Sequence, residues 1–563
     1  MKNTTPNRFL PAKKNPKTMK INTYLTSLAT LPLTALACAT TPDREPLAPG
    51  AQPEPPAPAA RPNIVFAFGD DYGRYASIYG EVEQDAICRL IKTPNIDRIA
   101  REGVLFTNAH VPAPSSTPCR SSVLSGQYFW RTGKGAILFG AEWDTSIPSY
   151  PLLLEENGYF VGFTYKAWAP GIVLNAPYGG NRNQYRGHGN KFNSFSEEVT
   201  AAGPANYEKR KQELYDEVAE NFRDFLDANS GDKPFCYWWG PTNTHRDWAQ
   251  GSGRALWGLN PDDLQGKLPA GLADVGVVRE DFCDYLGECQ AFDAGLGIIL
   301  RILEERGELD NTIVVVSGDH GIPGFPRAKC NLYDLGTRVT LAVRYPPSVP
   351  GNRVVSDFVN LMDLAPTFLE FGQTSVPAVM TGQSIKGILE QQASGQVDPA
   401  RTYVVTGRER HVHDAREGNL PYPQRAIVTD RYKYIRNFKP DRLPIGRIGT
   451  GTQDLKDIDA GPTKRWYKSV LYDPAYKYYV DLAFGLRPYE ELYDLKADPG
   501  EVSNLAGDPA YGKILKELSA RLDNVLTTYG DPRMEAGECI YDTNEFTSLL
   551  PPPSYINKGK KRE

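Results

Sequence analysis

The chain has 563 residues, of which 40% are apolar and 11% aromatic, so it is long enough for two or more packed domains and is neither disordered nor fibrous. Its 63 lysines and arginines nearly balance 68 aspartates and glutamates, for a formal net charge of -5. We therefore expect no nucleic-acid partner, and a bound anion must be held by cations placed locally.

The first 38 residues have the order of an export signal. Four lysines between positions 13 and 20 precede an apolar run over residues 24–37, which is too short and too proline-interrupted to span a bilayer. We predict a signal peptide over residues 1–38. Ala35-Leu36-Ala37 suits ordinary cleavage, whereas Cys38 is typical of a lipoprotein signal, so a lipid anchor and its absence both stay open. Either form is exported, to the periplasm, the membrane surface or the cell exterior.

A tether is expected after the signal. Residues 39–61 are rich in proline and alanine and contain almost no large apolar side chains, which predicts a semi-stiff linker. The cysteines beyond it show no paired metal-ligand spacing. A disulfide between Cys283 and Cys289 and a lone buried thiol at each position are both open.

Strand and helix patterns alternate through the next part of the chain. Apolar runs that stop at polar residues predict buried strands at residues 63–68, 159–165, 234–239 and 312–316. Helical patterns cover residues 93–100, 207–226 and 291–306. This alternation indicates an α/β domain with a mostly parallel sheet and helices on both faces.

The pattern changes near residue 400. Short alternating runs at residues 425–429 and 432–436 predict two antiparallel strands, and a helix follows over residues 512–529. We therefore assign residues 62–400 to the main domain and residues 401–563 to a smaller antiparallel C-terminal subdomain.

Polar pairs follow two of the predicted strands, at the edge where open parallel sheets place their sites. Asp70 and Asp71 come after the first strand, and Asp319 and His320 come after the strand at residues 312–316. Adjacent carboxylates repel each other, so a divalent cation with oxygen ligands explains both pairs, although one imidazole is unusual for such an ion. The alternative is that each pair only caps a loop or a helix.

Residues 114–126 (PSSTPCRSSVLSG) predict a proline-punctuated loop that leads into a helix beginning near Cys119. A group at Ser116 would face helix N-terminal amides and Arg120, which together make an anion site. Ser-x-Pro-x-Arg followed by Ser-x-x-Leu-Ser-Gly resembles the signature of the type I sulfatases, whose Cys or Ser is oxidised to formylglycine. The resemblance marks Ser116 as the modified residue, in the serine form of the motif.

Further segments resemble the same family, at residues 62–71, 93–110, 317–321, 329–338 and 491–505. The resemblance therefore covers the chain from about residue 62 to residue 509, and the nearest pattern is that of N-sulfoglucosamine sulfohydrolase-like carbohydrate sulfatases. It implies an alkaline-phosphatase-like α/β core in the main domain. It also implies a divalent metal, Ca²⁺ before Mg²⁺, bound by Asp70, Asp71, Asp319, His320 and the modified Ser116.

The resemblance also implies catalytic roles. Arg120 would orient the formylglycine, Lys166 and Lys329 would hold the sulfate, and His245 would protonate the leaving sugar oxygen. The hydrated aldehyde at Ser116 would attack sulfur, and its second hydroxyl would then expel the sulfate. The modification requires a partner, a radical maturase able to oxidise serine before export.

Two features depart from the family pattern or extend it. Family members commonly carry a histidine two residues after the first lysine, where this chain has Trp168, so the base for sulfate release is unassigned and Trp168 is either a wall of a sugar subsite or a core aromatic. The charged stretch at residues 407–416 is either a solvated face or part of the substrate pocket. We predict substrate contacts from Arg408, His411, His413 and Arg425.

These patterns predict an exported sulfatase that acts on a sulfated carbohydrate, derived from a polysaccharide. Two alternatives stay open. One is a phosphonate or phosphodiester hydrolase of the same superfold, which the full Ser-x-Pro-x-Arg motif disfavours. The other is a non-catalytic protein that binds sulfated glycan, because maturation of Ser116 depends on another enzyme.

Overall fold

The computed structural model describes residues 61–173, 176–231, 233–449 and 454–548, which belong to one compact unit. The predicted signal peptide, Cys38 and the linker except Arg61 lie outside the described residues. Within the described ranges, none of the helices is long and apolar enough to cross a membrane.

Eleven strands and fifteen α-helices form in the described residues. The strands are β1 (Asn63–Gly69), β2 (Val104–His110), β3 (Phe160–Tyr165), β4 (Phe235–Gly240), β5 (Thr312–Gly318), β6 (Leu341–Arg344), β7 (Arg353–Asn360), β8 (Tyr403–Arg408), β9 (Gln424–Thr429), β10 (Tyr432–Asn437) and β11 (Glu490–Asp494). The helices are α1 (Ser77–Val82), α2 (Pro94–Glu102), α3 (Ser116–Ser125), α4 (Tyr150–Glu156), α5 (Phe195–Ala201), α6 (Tyr207–Ala228), α7 (Ser252–Trp257), α8 (Gly276–Glu305), α9 (Asp334–Thr337), α10 (Leu364–Phe371), α11 (Lys386–Leu389), α12 (Pro462–Ser469), α13 (Lys477–Phe484), α14 (Gly512–Thr528) and α15 (Asn544–Thr547).

Two sheets organise the molecule. Seven strands form the larger sheet in the order β3-β4-β1-β5-β6-β2-β7, in which β6 runs antiparallel to both of its neighbours and all other neighbours are parallel. The smaller sheet is antiparallel, in the order β11-β10-β9-β8. The predicted fold class, a mostly parallel α/β core with a small antiparallel C-terminal sheet, is confirmed.

The larger sheet is covered on both faces, as strand β1 shows. Ile64, Phe66 and Phe68 belong to one apolar cluster, which also contains side chains of α3 and α10. Val65 and Ala67 point the other way, into a cluster that contains side chains of α6 and α8. Successive side chains of a strand alternate between faces, so a strand that is apolar throughout requires helices on both sides.

Helix α8 begins at Gly276, fifteen residues before the predicted start at residue 291. Buried acids interrupt the apolar pattern in this first half, and each has partners from elsewhere in the fold. Asp281 binds the guanidinium of Arg246 through both oxygens, at 2.7 Å each. Asp284 accepts the backbone N–H groups of Gly251 and Gly253 beside α7. These buried polar residues interrupt the apolar periodicity, and for that reason the sequence did not predict the first half of α8.

The structure decides between the two alternatives left open for the cysteines of α8. Cys283 and Cys289 both lie on this helix, six residues apart, and both are buried with free thiols. The disulfide between them does not form in this structure, and the alternative of lone buried thiols holds.

The structure places Arg425 in ion pairs within the protein, and its predicted contact with substrate stays a prediction. It lies on β9, fully buried between two carboxylates, with Nη2 2.9 Å from Glu409 Oε1 and Nε 2.5 Å from Asp531 Oδ2. Its guanidinium carbon also lies 4.8 Å from the ring centre of Phe129, which belongs to the main domain. Both ends of the guanidinium are occupied by carboxylates of the C-terminal subdomain, so Arg425 holds that subdomain together and contacts the main domain through Phe129.

Arg425→Met is therefore expected to destabilise the protein by about 3–5 kcal/mol, because it leaves buried carboxylates without their cation. Urea unfolding followed by tryptophan fluorescence measures the change in midpoint. The matched control is Arg301→Met, which removes an exposed arginine paired with the exposed Glu305 and is expected to leave the midpoint unchanged. Equal midpoints for the two variants would show that the buried pairs do not hold the subdomain.

Candidate active site

The polar residues singled out in the sequence meet at one edge of the larger sheet. Parallel strands bring their carboxyl ends to the same edge, so the residues that follow each strand become neighbours. Those residues are Asp70 and Asp71 after β1, Ser116 after β2, Lys166 after β3, His245 after β4, and Asp319 and His320 after β5.

Ser116 is the first residue of α3, with Ser115 in the N-cap position. The sequence predicted the helix to begin near Cys119. Pro118 is compatible with the earlier start, because the first turn of a helix does not use its N–H groups internally. Ser116 Oγ lies 3.2 Å from Asp70 Oδ1, 3.2 Å from Lys166 Nζ and 3.3 Å from His320 Nε2. The helix terminus and the lysine favour an anion at this point.

Three buried carboxylates surround Ser116: those of Asp70, Asp71 and Asp319. Asp71 has a left-handed backbone, with φ of 61°, and its N–H donates to Asp319 Oδ1 at 2.7 Å. The ends of β1 and β5 approach so closely that a Cβ at Gly318 would lie 1.9 Å from the carbonyl oxygen of Tyr72. Only glycine permits this approach, which holds Asp319 beside Asp71.

Three cations compensate these carboxylates. Lys166 Nζ lies 2.6 and 2.8 Å from the two oxygens of Asp70. Arg120 donates from Nη2 to Asp70 and from Nε to Asp319, at 3.1 and 2.9 Å. Burial opposes the ionisation of Asp70, but Lys166 and Arg120 outweigh it and hold the pKa of Asp70 well below its usual value. Arg120 therefore acts through Asp70 and Asp319, and its predicted role in orienting formylglycine stays a prediction.

Asp71 is compensated less completely than Asp70. Lys329 Nζ lies 2.9 Å from its Oδ2, yet burial still raises the pKa of Asp71 above its ordinary value. Among the described residues, its buried Oδ1 receives no hydrogen bond, although His320 Nε2 lies 3.1 Å away. An additional positive charge beside Oδ1 would stabilise this carboxylate.

The donor set fits a divalent metal ion. One ligand atom each from Asp71, Asp319 and His320 lie within 4.8 Å of one another, and Asp70, Asp71 and His245 form a second such group. His320 Nδ1 faces the carbonyl oxygen of Gly321 at 3.1 Å and donates to it, which orients Nε2 toward the carboxylates, where it could bind a metal ion. Carboxylate oxygens are the ligands that Ca²⁺ and Mg²⁺ prefer.

His245 stands at the mouth of the site. Its Nδ1 lies 2.5 Å from the carbonyl oxygen of Arg246, and its Nε2 lies 3.9 Å from Asp71 Oδ2. The side chain is 36% exposed, in contrast to the buried carboxylates. The His245 side chain is thus partly accessible from solvent.

The C-terminal subdomain contributes two side chains to this edge. His411 Nδ1 lies 2.8 Å from Ser115 Oγ, directly before Ser116, and burial lowers the pKa of His411 to about 3. Asp459 Oδ2 lies 3.3 Å from Lys329 Nζ, and the sequence analysis did not identify it. Its only signal was the acidic stretch Asp454-Leu455-Lys456-Asp457-Ile458-Asp459, which by itself is typical of a solvated face.

The remaining predicted substrate contacts lie around the site and stay predictions. Trp168 is packed in the core and donates from its indole to Ser121 Oγ at 2.9 Å, yet it also borders a cavity of about 270 Å³ that Lys166 lines. Arg408 is buried against Asp457, 2.6 Å away. His413 is half-buried and meets Phe139 edge to face.

Comparison with known proteins identifies the class to which this fold and site belong. Residues 62–373, more than half of the chain, match the sulfatase family model, and residues 319–444 match the model of the N-sulphoglucosamine sulphohydrolase C-terminal region. The chain belongs to the sulfatase family, which confirms the resemblance drawn from the motif at Ser116.

Individual relatives are distant but nearly full-length. An ulvan-active sulfatase of Formosa agariphila is 26% identical, with 84% of this chain and 76% of the relative covered. An N-acetylglucosamine-6-O-sulfatase of Bacteroides thetaiotaomicron is 25% identical, with 85% and 89% covered. The human N-sulphoglucosamine sulphohydrolase is 26% identical, with 82% and 89% covered.

Solved structures agree on the fold. A protein in complex with its substrate D-glucosamine-2-N,6-O-disulfate superposes with a TM-score of 0.57 at 20% identity, covering 84% of this chain and all of the other. The phosphonate monoester hydrolase of Agrobacterium radiobacter superposes with a TM-score of 0.58 at 17% identity, covering 83% and 96%. At these identities the likeness concerns the fold alone.

The metal site leads to a direct test. Changing outer partners of metal ligands weakens binding by about 10–100-fold, so losing a ligand charge with Asp71→Asn is expected to weaken Ca²⁺ binding by roughly 100-fold or more. Isothermal titration calorimetry on the metal-stripped protein measures this without catalysis. Asp481→Asn, which removes an exposed carboxylate paired with Lys477, is the control and is expected to keep the parental affinity. Equal affinities would place the metal elsewhere.

Proposed function

We propose that this protein is an exported enzyme that removes sulfate groups from a sulfated carbohydrate, using formylglycine made from Ser116. The observation that carries the proposal is the position of Ser116 Oγ, at the start of α3 and within 3.3 Å of a carboxylate, a lysine and an imidazole. The relatives named as acting on ulvan and on N-acetylglucosamine 6-sulfate support a carbohydrate substrate derived from a polysaccharide.

The proposed cofactor is Ca²⁺, bound by Asp70, Asp71, Asp319, His320 and the modified Ser116. Ca²⁺ is preferred to Mg²⁺ because it accepts many carboxylate oxygens in flexible geometry. When present, the metal neutralises negative charge around the reacting group and formylglycine supplies the nucleophilic oxygen.

The chain's own residues provide binding and proton transfer. Lys166 and Lys329 place two ammonium groups at the site, where they are suited to bind sulfate oxygens. Arg120 holds Asp70 and Asp319 in position through the hydrogen bonds described above. His245, partly exposed at the mouth, is placed to donate a proton from Nε2 to the sugar oxygen as the ester bond breaks.

The proposal also includes a maturation enzyme as partner and an exported location. A radical maturase able to oxidise serine would act on Ser116 before export. Residues 1–38 would direct export, and a lipid at Cys38 with the linker at residues 39–61 would tether the enzyme to a membrane. Without the lipid, the enzyme would be released into the periplasm or the cell exterior.

The first test is the mass of the peptide that contains Ser116, from protein made in its native host or with a serine-competent maturase. The expected result is the loss of two hydrogens at Ser116, absent from a Ser116→Ala control. The matured protein should then release sulfate from sulfated glycans. An unmodified serine in the native host would contradict the mechanism.

A second test addresses the leaving group. General acids contribute about 10²–10⁴-fold to rate, so His245→Asn is expected to lower kcat on a sulfated sugar by roughly that factor. The loss should be much smaller with 4-nitrophenyl sulfate, whose leaving group needs no proton. His188→Asn, which changes an exposed histidine paired with Asp224, serves as the control. An equal loss on both substrates would remove His245 from this role.

The alternatives predicted from sequence are separated by the same assays. A preference for phosphonate or phosphodiester substrates over sulfate esters would favour a phosphoryl-transfer enzyme, a class that shares this fold. Binding of sulfated glycan without any turnover by matured protein would favour a non-catalytic glycan-binding protein.

A further inference from the structure

Asp459 occupies a fixed position at the active-site edge. It belongs to residues 454–461, which connect the small sheet to α12. Asp457, two residues earlier, is buried and binds both Arg408 and Arg416, at 2.6 and 2.5 Å. Ile458 is packed in an apolar cluster, and its carbonyl oxygen accepts from Lys464 Nζ at 2.7 Å. These anchors on the two residues directly before Asp459 restrict the position of its backbone.

The carboxylate of Asp459 competes for one of the two sulfate-binding lysines. Lys329 Nζ lies 2.9 Å from Asp71 Oδ2 and 3.3 Å from Asp459 Oδ2, so its charge is already shared between two acids. The Asp459 side chain is 25% exposed, whereas that of Asp71 is fully buried. The carboxylate of Asp459 is therefore partly accessible to solvent, whereas that of Asp71 is not.

The charge state of Asp459 follows from its neighbours. Burial opposes its ionisation, but Lys329, His245 and His411 outweigh burial and lower the pKa of Asp459 below its ordinary value. A negative charge thus stands beside Lys329 and near enough to the proposed proton donor, His245, to interact with it electrostatically.

The sum of the formal charges around the site shows the effect of the Asp459 carboxylate. The three cations Lys166, Lys329 and Arg120 face the three carboxylates of Asp70, Asp71 and Asp319, and a divalent metal would leave an excess of two positive charges. Asp459 reduces this excess to one. A site suited to attract a sulfate group thus carries an acid that weakens the attraction, and this acid is partly exposed to solvent.

We propose that Asp459 is a specificity-determining residue, which accepts a hydrogen bond from a donor group of the sugar near the sulfate ester and disfavours a second anionic group there. An ionised carboxylate only accepts hydrogen bonds, so its partner is a hydroxyl or an ammonium group. A second sulfate within several ångströms meets direct repulsion in a partly desolvated site. This inference rests on the proposed function, and it narrows the substrate to sugars with a neutral or cationic group beside the sulfate.

The first experiment measures inorganic sulfate, which carries no sugar. Isothermal titration calorimetry uses the Ser116→Ala protein in saturating Ca²⁺, with and without Asp459→Asn. Removing a negative charge next to Lys329 is expected to tighten sulfate binding roughly tenfold. Asp459→Glu, which keeps the charge, and Asp441→Asn, which removes an exposed charge of the same subdomain, are expected to leave the affinity unchanged. Equal affinities for Asp459→Asn and its parent would overturn the inference.

The second experiment uses three sugars that differ in charge at one position: glucosamine 6-O-sulfate, N-acetylglucosamine 6-O-sulfate and glucosamine 2-N,6-O-disulfate. Matured wild type is expected to favour the first two over the disulfate in kcat/KM. Asp459→Asn should reduce that preference roughly tenfold, whereas Asp459→Glu should retain it. A purely structural role would change kcat/KM for all three sugars by the same factor, and an unchanged preference would overturn the inference.

The sugars also separate the two possible donors. A preference for glucosamine 6-O-sulfate over its N-acetyl form that depends on Asp459 identifies an ammonium group, and equal rates identify a hydroxyl. Failure of the proposed function has a different signature, because matured wild type would then release sulfate from no sugar. The sulfate titration needs no nucleophile, so it tests Asp459 in either case.

Discussion

The burial of three carboxylates at one edge of a parallel sheet is the constraint on which the rest of the structure depends. Asp70, Asp71 and Asp319 repel one another, and water is too scarce at this depth to solvate them. Arg120 from α3, Lys166 after β3 and Lys329 after β5 supply the compensating charges. These elements must therefore come together to neutralise the buried carboxylates. The carboxylates and His320 form a donor set that fits a divalent metal.

The same requirement explains why the site is built from both sheets. The larger sheet delivers the buried ligands, but the subdomain built on the smaller sheet supplies His411 against Ser115 and Asp459 against Lys329. The buried ion pairs of Arg425 lie within that subdomain, and its guanidinium contacts the rings of Phe129 and Trp130 in the main domain. A change far from the chemistry can thus alter the site through the position of these loops.

The buried and the partly exposed residues of the site differ in their proposed roles. The residues around Ser116 are buried and hold their geometry through direct ion pairs, which suits preorganised chemistry. His245 and Asp459 are partly exposed. The proposed proton transfer and substrate selection therefore use residues that solvent can reach, whereas the buried residues neutralise charge.

The sequence by itself determined strands β1, β3, β4, β5, β9 and β10, the polar residues after β1 and β5, and the family motif, because each of these is local. The apolar run 63–68 is a buried strand wherever it lies, and Ser116 with Arg120 forms a recognisable pattern within five residues. Only the tertiary structure decided which side chains contact one another. The early start of α8, the structural role of Arg425 and the position of Asp459 depend on ion pairs or hydrogen bonds that no local pattern encodes. Apart from Arg425 and Glu409, the two residues of each pair are 30 or more positions apart in the chain.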